Sequence, residues 1–368
     1  MKSIIRFIKR NVVFAIAVAV MFVTMFFVPV DKEYPGYFDF KTLTCLFCVL
    51  AVVCALKNVN FFYILAKKIV KRFGTLRMSI IALVYITFIG SMLIANDMAL
   101  LTFLPLGYFV LDTTKKKQYM AFTFIMQNIA ANLGGMLTPF GNPQNLYLYT
   151  KYNIPTLEFM QIMLLPFIIS ITMITICCVI FVKPEKLEIS GESETFEPKR
   201  TTLYLVLFLL SIAIVFRGIP YLIGLIVIPA VLLFADRKAL KMVDYPLLGT
   251  FAAFFIFSGN MARIEPVRNL FSYLLEKSTL IFSTLSCQVI SNVPSAILLS
   301  QFTDNYKELL VGVNIGGTGT FIASLASLIT LREYMLRDYD GLKRYSKMFL
   351  LFNFGFLLVL LFVMYFAI

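Results

Sequence analysis

Two short stretches carry the residues best suited to chemistry, Ala95-Asn96-Asp97 and Ser291-Asn292-Val293-Pro294, each set between apolar arms. Each is followed by a second stretch, Asn132-Leu133-Gly134-Gly135-Met136-Leu137-Thr138 and Asn314-Ile315-Gly316-Gly317-Thr318-Gly319-Thr320. The later pair shares the pattern N-x-G-G-x-x-T. Amides and glycine-freed main chain coordinate rather than react, and a hydroxyl without an activating base does the same. A helix that begins inside a membrane offers unpaired N–H groups and a partial positive charge, which can hold an anion. One that ends there offers carbonyl oxygens, which can replace the water around a sodium ion. Asp97 can bind sodium, carry a proton, or cap the helix that starts at Met98.

These residues need elements that bring them to one depth. Of 368 residues, 60% are hydrophobic and 14% charged, with a mean hydropathy of +0.86. A soluble domain must cover its surface with polar groups and does not look like this. Apolar runs of about 15–25 residues recur along the chain, the length the hydrocarbon layer demands, and lipid leaves helices as the economical spanning structure. The reading is an all-α polytopic membrane protein with about nine spanning helices near 11–30, 42–56, 118–144, 157–182, 201–216, 219–235, 246–259, 307–331 and 347–367. Two stretches, 78–111 and 279–300, do not fit as simple crossings. Each reads as a re-entrant helical hairpin with an Asn at its tip, although two crossings joined by a two-residue turn also fit 78–111. Asp97 at mid-depth demands a cavity or a partner.

Paired glycines weaken a helix by about 1 kcal/mol each relative to Ala, so 118–144 and 307–331 are expected to be broken. Close packing through small residues would explain one such break. Two breaks, each after an Asn-tipped hairpin, point to binding, because interrupted helices in paired halves mark transport sites at the bilayer midplane. The order of elements repeats as well. Residues 1–182 form a first inverted repeat, 183–218 a linker plus connecting helix, and 219–368 a second repeat. Basic amphipathic segment 58–72 precedes the first hairpin and 264–277 the second. The linker is acidic, with Glu185, Glu188, Glu192, Glu194 and Glu197.

Charge sets the orientation. With the N-terminus inside, cytoplasmic segments hold 25 of the 33 Lys and Arg, as the positive-inside bias requires. Nine crossings then leave the C-terminus outside. The same distribution disposes of a nucleic-acid partner for a chain of net charge +13, since the basic residues sit in short loops rather than on one face. Lys2, Arg6, Lys9 and Arg10 precede a run from Val12 to Val30 that is too long for a signal peptide and reads as a retained helix. The absence of histidine rules out a zinc metalloprotease motif and a Ser-His protease; no G-x-G-D pair occurs either. Six cysteines in or beside apolar runs read as small packing residues, so no metal centre and no enzyme is expected.

These residues resemble the ion transporter superfamily of bacterial permeases, with its citrate, dicarboxylate/sodium, arsenite and sodium/proton antiporter branches. The resemblance lies in Asn96-Asp97 followed by Pro105, in Ala131-Asn132-Leu133-Gly134-Gly135 with Thr138-Pro139-Phe140-Gly141-Asn142-Pro143-Gln144-Asn145, and in Ser291-Asn292-Val293-Pro294 with Asn314-Ile315-Gly316-Gly317. It covers nearly the whole chain and implies two inverted repeats, a bacterial inner membrane, and alternating access by rigid movement of the hairpin-bearing part. Homodimers occur in the family. In the dicarboxylate branch each tip carries Ser-Asn-Thr; here Asn96 and Asn292 fit the Asn and Ser291 fits the Ser, while Ala95, Asp97 and Val293 depart. The departures look more like the arsenite, antiporter and citrate-permease relatives.

The expected function is secondary transport of a small anion, such as citrate or another organic acid, coupled to sodium or protons; the alternative is arsenite efflux or sodium/proton antiport. No Lys or Arg falls at a predicted midplane position, so helix dipoles, amides and a co-bound cation must balance the anion. Expected solute contacts are Asn96, Thr138, Asn142, Ser291, Asn292, Thr318 and Thr320. Expected cation contacts are Asn96, Asp97, Asn132, Gly134, Gly135, Asn292, Asn314, Gly316 and Gly317, with sodium at Asn96, Asp97 and Asn292. No cofactor beyond the coupling ion is expected.

Overall fold

The computed structural model describes residues 11–186 and 197–368; the N-terminal basic residues and Glu188, Glu192 and Glu194 lie outside the described residues. The described chain is all-helical, with one isolated bridge between Thr75 and Lys186. Helices α1 (Val12–Phe27), α2 (Phe40–Asn58) and α3 (Phe61–Val70) come first. Then α4 (Leu76–Ile94) and α5 (Asn96–Thr113) follow with one residue between them, and α6 (Met120–Gly134) and α7 (Pro143–Lys151) flank the first glycine pair. A 26-residue helix, α8 (Thr156–Phe181), leads to the linker. Beyond it lie α9 (Pro198–Val215), α10 (Tyr221–Ala235), the short α11 (Arg237–Met242), α12 (Tyr245–Arg263) and α13 (Glu265–Lys277). The chain closes with α14 (Thr279–Ile290), α15 (Asn292–Leu299), α16 (Tyr306–Ile315), α17 (Leu325–Met335) and α18 (Leu342–Ala367).

Among the described residues six helices are long and apolar enough to cross a membrane: α2, α4, α8, α9, α12 and α18. The apolar α1, α10 and α14 are shorter. The nine spans read from the sequence compare with these helices in two respects. The stretches 118–144 and 307–331, expected to be broken at their glycine pairs, are each two helices, and the second helix of each pair runs past the expected end, to Lys151 and Met335. The arm α4 has 19 residues, the length of a crossing, whereas α14 and α15 have 12 and 8. The amphipathic segments form α3 and α13.

Local signals set the helix starts. Asp39 accepts from the Thr42 N–H at 2.9 Å to cap α2, Asp244 from Leu247 at 3.0 Å to cap α12, and Asn305 from Glu308 at 3.3 Å to cap α16. Each satisfies a donor that the first turn would leave unpaired. Helix α12 packs along α1, α2 lies against α9 and α10, α4 against α5 and α6, and α14 against α16.

Loop contacts sort the helix ends into two groups. At one end Arg263 meets Asp31 at 2.6 Å and Glu33 at 3.4 Å, Tyr306 donates to Glu158 at 2.8 Å, and Arg217 donates to the Tyr149 carbonyl at 2.7 Å. At the other end Asn58 donates to Asp236 at 2.9 Å, Arg77 to the Val182 carbonyl at 2.7 Å, and Lys116 pairs with Glu185. The second end gathers the loops with Lys57 to Arg77, Lys115 to Lys117 and Arg237 to Lys241.

Candidate functional site

Helices α4 and α5 are joined by Ala95 alone, at φ 64° and ψ 153°. Helices α14 and α15 are joined by Ser291 alone, at φ 75° and ψ 159°. Both residues sit in a backbone region that is nearly glycine-only and costs about 1–3 kcal/mol. The chain reverses within one residue and puts an Asn first in each following helix. The two asparagines behave alike: Asn96 Oδ1 accepts from the Asp97 N–H at 2.9 Å, and Asn292 Oδ1 from the Val293 N–H at 2.9 Å. Pro294 lacks an N–H, a loss without cost in a first turn.

The breaks are held by side-chain amides. Between α6 and α7 the main chain leaves the helix, and Asn145 Nδ2 donates to the carbonyls of Gly135, Met136 and Thr138 at 3.2–3.3 Å. Between α16 and α17, Gln288 on α14 donates to the carbonyls of Gly316 at 2.8 Å and Thr318 at 3.0 Å. Its Oε1 accepts from the Thr320 N–H at 2.9 Å. Freed backbone in lipid must find partners inside the protein, and these amides supply them.

The breaks then meet. Asn314 donates to Asn145 Oδ1 at 2.6 Å and accepts from Asn142 at 3.3 Å and Gln144 at 3.4 Å. Asn132 Oδ1 accepts from Asn96 at 3.3 Å and from Ser324 at 2.7 Å. A Cβ on Gly317 would stand 3.1 Å from Asn292 Nδ2 and 3.7 Å from Asn132 Oδ1, so the second tip adjoins the same cluster. In the residues of the tips and breaks, Asp97 Oδ1, Asn132 Nδ2, Asn142 Oδ1 and Gln144 Oε1 are buried without a partner.

Both tips line one cavity of about 750 Å³, together with α1, α12, α13 and the start of α17. Its polar lining is Asn96, Asp97, Ser291, Asn292 and Ser324, with Ser286 on α14 and Thr250 on α12; its other walls include Phe254, Phe257, Phe271 and Phe282. None of its described lining residues is Lys or Arg. A second cavity of about 350 Å³ lies beside the end of α7, lined by Asp39, Lys151 and Gln301 among others.

Of the residues singled out from sequence, Asn96, Asn132, Asn142, Asn292, Asn314 and Gly317 come together here. Gly134 and Gly135 form the first turn out of α6, where a Cβ on Gly134 would overlap the Phe88 carbonyl. Gly316 occupies the matching place after α16, its carbonyl held by Gln288. The threonine hydroxyls are turned to main chain: Thr138 donates to Met92 at 2.7 Å, Thr318 to Ile315 at 2.6 Å and Thr320 to Gln288 at 3.1 Å. Sequence reading passed over Gln288, Asn145, Gln144 and Ser324. Gln288 had a signal, as an amide inside an apolar arm; Ser324 had none.

The chain is a multi-pass membrane protein whose broken helices are held by side-chain amides, and its class, membrane transporter, is shown by its family. The chain is a member of the citrate transporter family, whose model matches residues 3–306. It is 35% identical over 297 residues to an uncharacterized transporter, MJ0456, of Methanocaldococcus jannaschii, covering 80% of this chain and 81% of the relative. It is 29% identical over 316 residues to the inner membrane protein YbiR of Escherichia coli K12, covering 83% of each. It is a transporter, not an enzyme.

Proposed function

We propose that the chain is a secondary active transporter that carries a small organic anion in step with sodium or a proton, by alternating access. The carrying observation is that Asn96 and Asn292, each first in a helix after a one-residue reversal, line the same cavity. Two helix N-termini facing one volume give the partial positive charge an anion needs where no basic side chain is present. Asp97 Oδ1, Asn142 Oδ1 and Gln144 Oε1 are acceptors without donors, which suits a coupling cation. Citrate is the first candidate solute, on the family's name.

In this reading the α4–α5 and α14–α15 pairs are the two re-entrant hairpins. Residues 1–182 and 219–368 are inverted repeats, and α1 with α12 belongs to the scaffold against which the hairpins move. The order helix, helix, amphipathic helix, paired helices, broken helix, helix on both sides of α9 supports the repeat. The basic end is then cytoplasmic, with the N-terminus inside and the C-terminus outside.

Uptake of labelled citrate and smaller organic acids into inverted and right-side-out vesicles, with imposed sodium or pH gradients, tests this. Gradient-driven uptake is expected, lost in Asn96→Ala and Asn292→Ala while both variants stay folded. Flux that persists in both variants would place the solute elsewhere. A second reading, sodium/proton exchange, rests on the unpartnered carboxyl oxygen of Asp97; sodium movement driven by pH without any organic anion would favour it.

A further inference from the structure

We infer that the start of α18 binds the headgroup of an anionic phospholipid, whose acyl chain lies along the exposed apolar face of the same helix. Lys343, Arg344 and Lys347, with Asp340, Met348 and Leu351, line a cavity of about 580 Å³ that shares no residue with the cavity at the tips. Among the described residues none of the three cations makes an ion pair or a hydrogen bond. The neighbouring Asp338 is already taken, by the Tyr334 hydroxyl at 2.7 Å and the Gly341 N–H at 2.9 Å. Three cations therefore share the cavity with one carboxylate, Asp340.

Their position does not serve the helix. Lys343 and Arg344 stand in the first turn of α18, where the helix dipole disfavours cations, and no acidic residue of that turn offsets them. The positive-inside bias accounts for basic loops, but it does not choose a face. Here Lys343 and Lys347 continue, at steps of four and seven residues along one helix face, into Leu351, Leu358 and Phe362, all exposed. Gly355, four residues after Leu351, has open space where a Cβ would stand, which leaves a notch in this face. From Met348 to Ala367 the helix carries no charged residue, a length of about 30 Å at 1.5 Å per residue, which matches the hydrocarbon core. The cations thus stand at headgroup depth, above an apolar lane. A basic cup over such a lane fits an amphiphile with a negative head, and anionic lipid gains about five-fold in binding per surface cation.

The test follows lipid adducts by native mass spectrometry of the full chain in an uncharged detergent, titrated with dioleoyl phosphatidylglycerol or dioleoyl phosphatidylcholine. Phosphatidylglycerol should bind the more tightly, and Lys343→Gln, Arg344→Gln and Lys347→Gln should each weaken it by about five-fold. Asp340→Asn should strengthen it by a similar factor, a gain that misfolding cannot produce. Gly355→Leu, which fills the notch and leaves the charge intact, should also weaken it. Arg237→Gln/Lys238→Gln/Lys241→Gln, which removes three cations from α11, should leave it unchanged. Equal affinity for the two lipids, or the same loss in the α11 variant, would overturn the inference, since charge would then act only as a general field. Displacement by inorganic phosphate, but not by sodium chloride of equal ionic strength, would mean a soluble-anion site and would also overturn it. So would a lipid-free dimer that phosphatidylglycerol does not enter, because a second copy would then cover the face.

Discussion

Asn132 connects parts of the molecule that hydropathy alone would keep apart. Its side-chain oxygen takes donors from Asn96 on the first tip and from Ser324 at the start of α17, and its main-chain oxygen takes Asn142 at 3.2 Å. A buried amide that bonds three segments fixes their spacing, because each unmade bond leaves a desolvated group behind. Ala95 shows the opposite economy. It holds a φ of 64° that a side chain disfavours, and an Asn reaches the tip as a result. Replacing Ala95 by Gly should therefore raise stability by about 1 kcal/mol, read as a higher melting temperature of the purified protein. A lower melting temperature would show that the reversal is not strained.

At the scale of elements, the approach of α4 to α6 depends on the absence of one side chain. A Cβ on Gly134 would run into the Phe88 carbonyl and stand 2.7 Å from Ser91 Oγ. Main chain cannot swing aside as a side-chain end can. Gly134→Ala should thus cost about 3 kcal/mol, the upper part of the range for overpacked sites, and lower both yield and melting temperature. Gly74→Ala, with open space around it, is the matched control and should change neither. The arms divide the labour: α14 supplies Gln288 to the second break, while the first break is served by Asn145 from its own second half.

At the scale of the whole molecule, Arg263 joins α12 to the loop after α1 through Asp31, Glu33 and the Tyr37 hydroxyl. The Arg263 guanidinium donates to Asp31 and holds its carboxyl below the ordinary carboxylate range. A depressed folded-state value means that the stabilisation is complete above the unfolded value, about 3.9, and fades as pH falls through the lower folded value. Arg263→Gln should lower the melting temperature modestly at neutral pH, and the gap from the unaltered protein should narrow below about pH 4. A gap independent of pH would show that Arg263 acts through packing instead.

The sequence alone was enough for what depends on short windows of residues. An apolar run that must cross lipid, an Asn that interrupts it, and a glycine pair that weakens a helix are each visible within twenty residues, as with Ile94 to Asp97 or Asn132 to Gly135. Only the tertiary structure decided the pairings. Asn314 meets Asn145, and Ser324 meets Asn132, across more than 160 residues of chain, and no local pattern encodes which amide will face which. For the same reason the bonds of the three threonine hydroxyls were not legible in their motif: carbonyls in the last turns of α4, α14 and α16 lie within their reach and take them. The cavity belongs to the fold as well, since it arises where the start of α5, the start of α15 and the face of α12 enclose one volume.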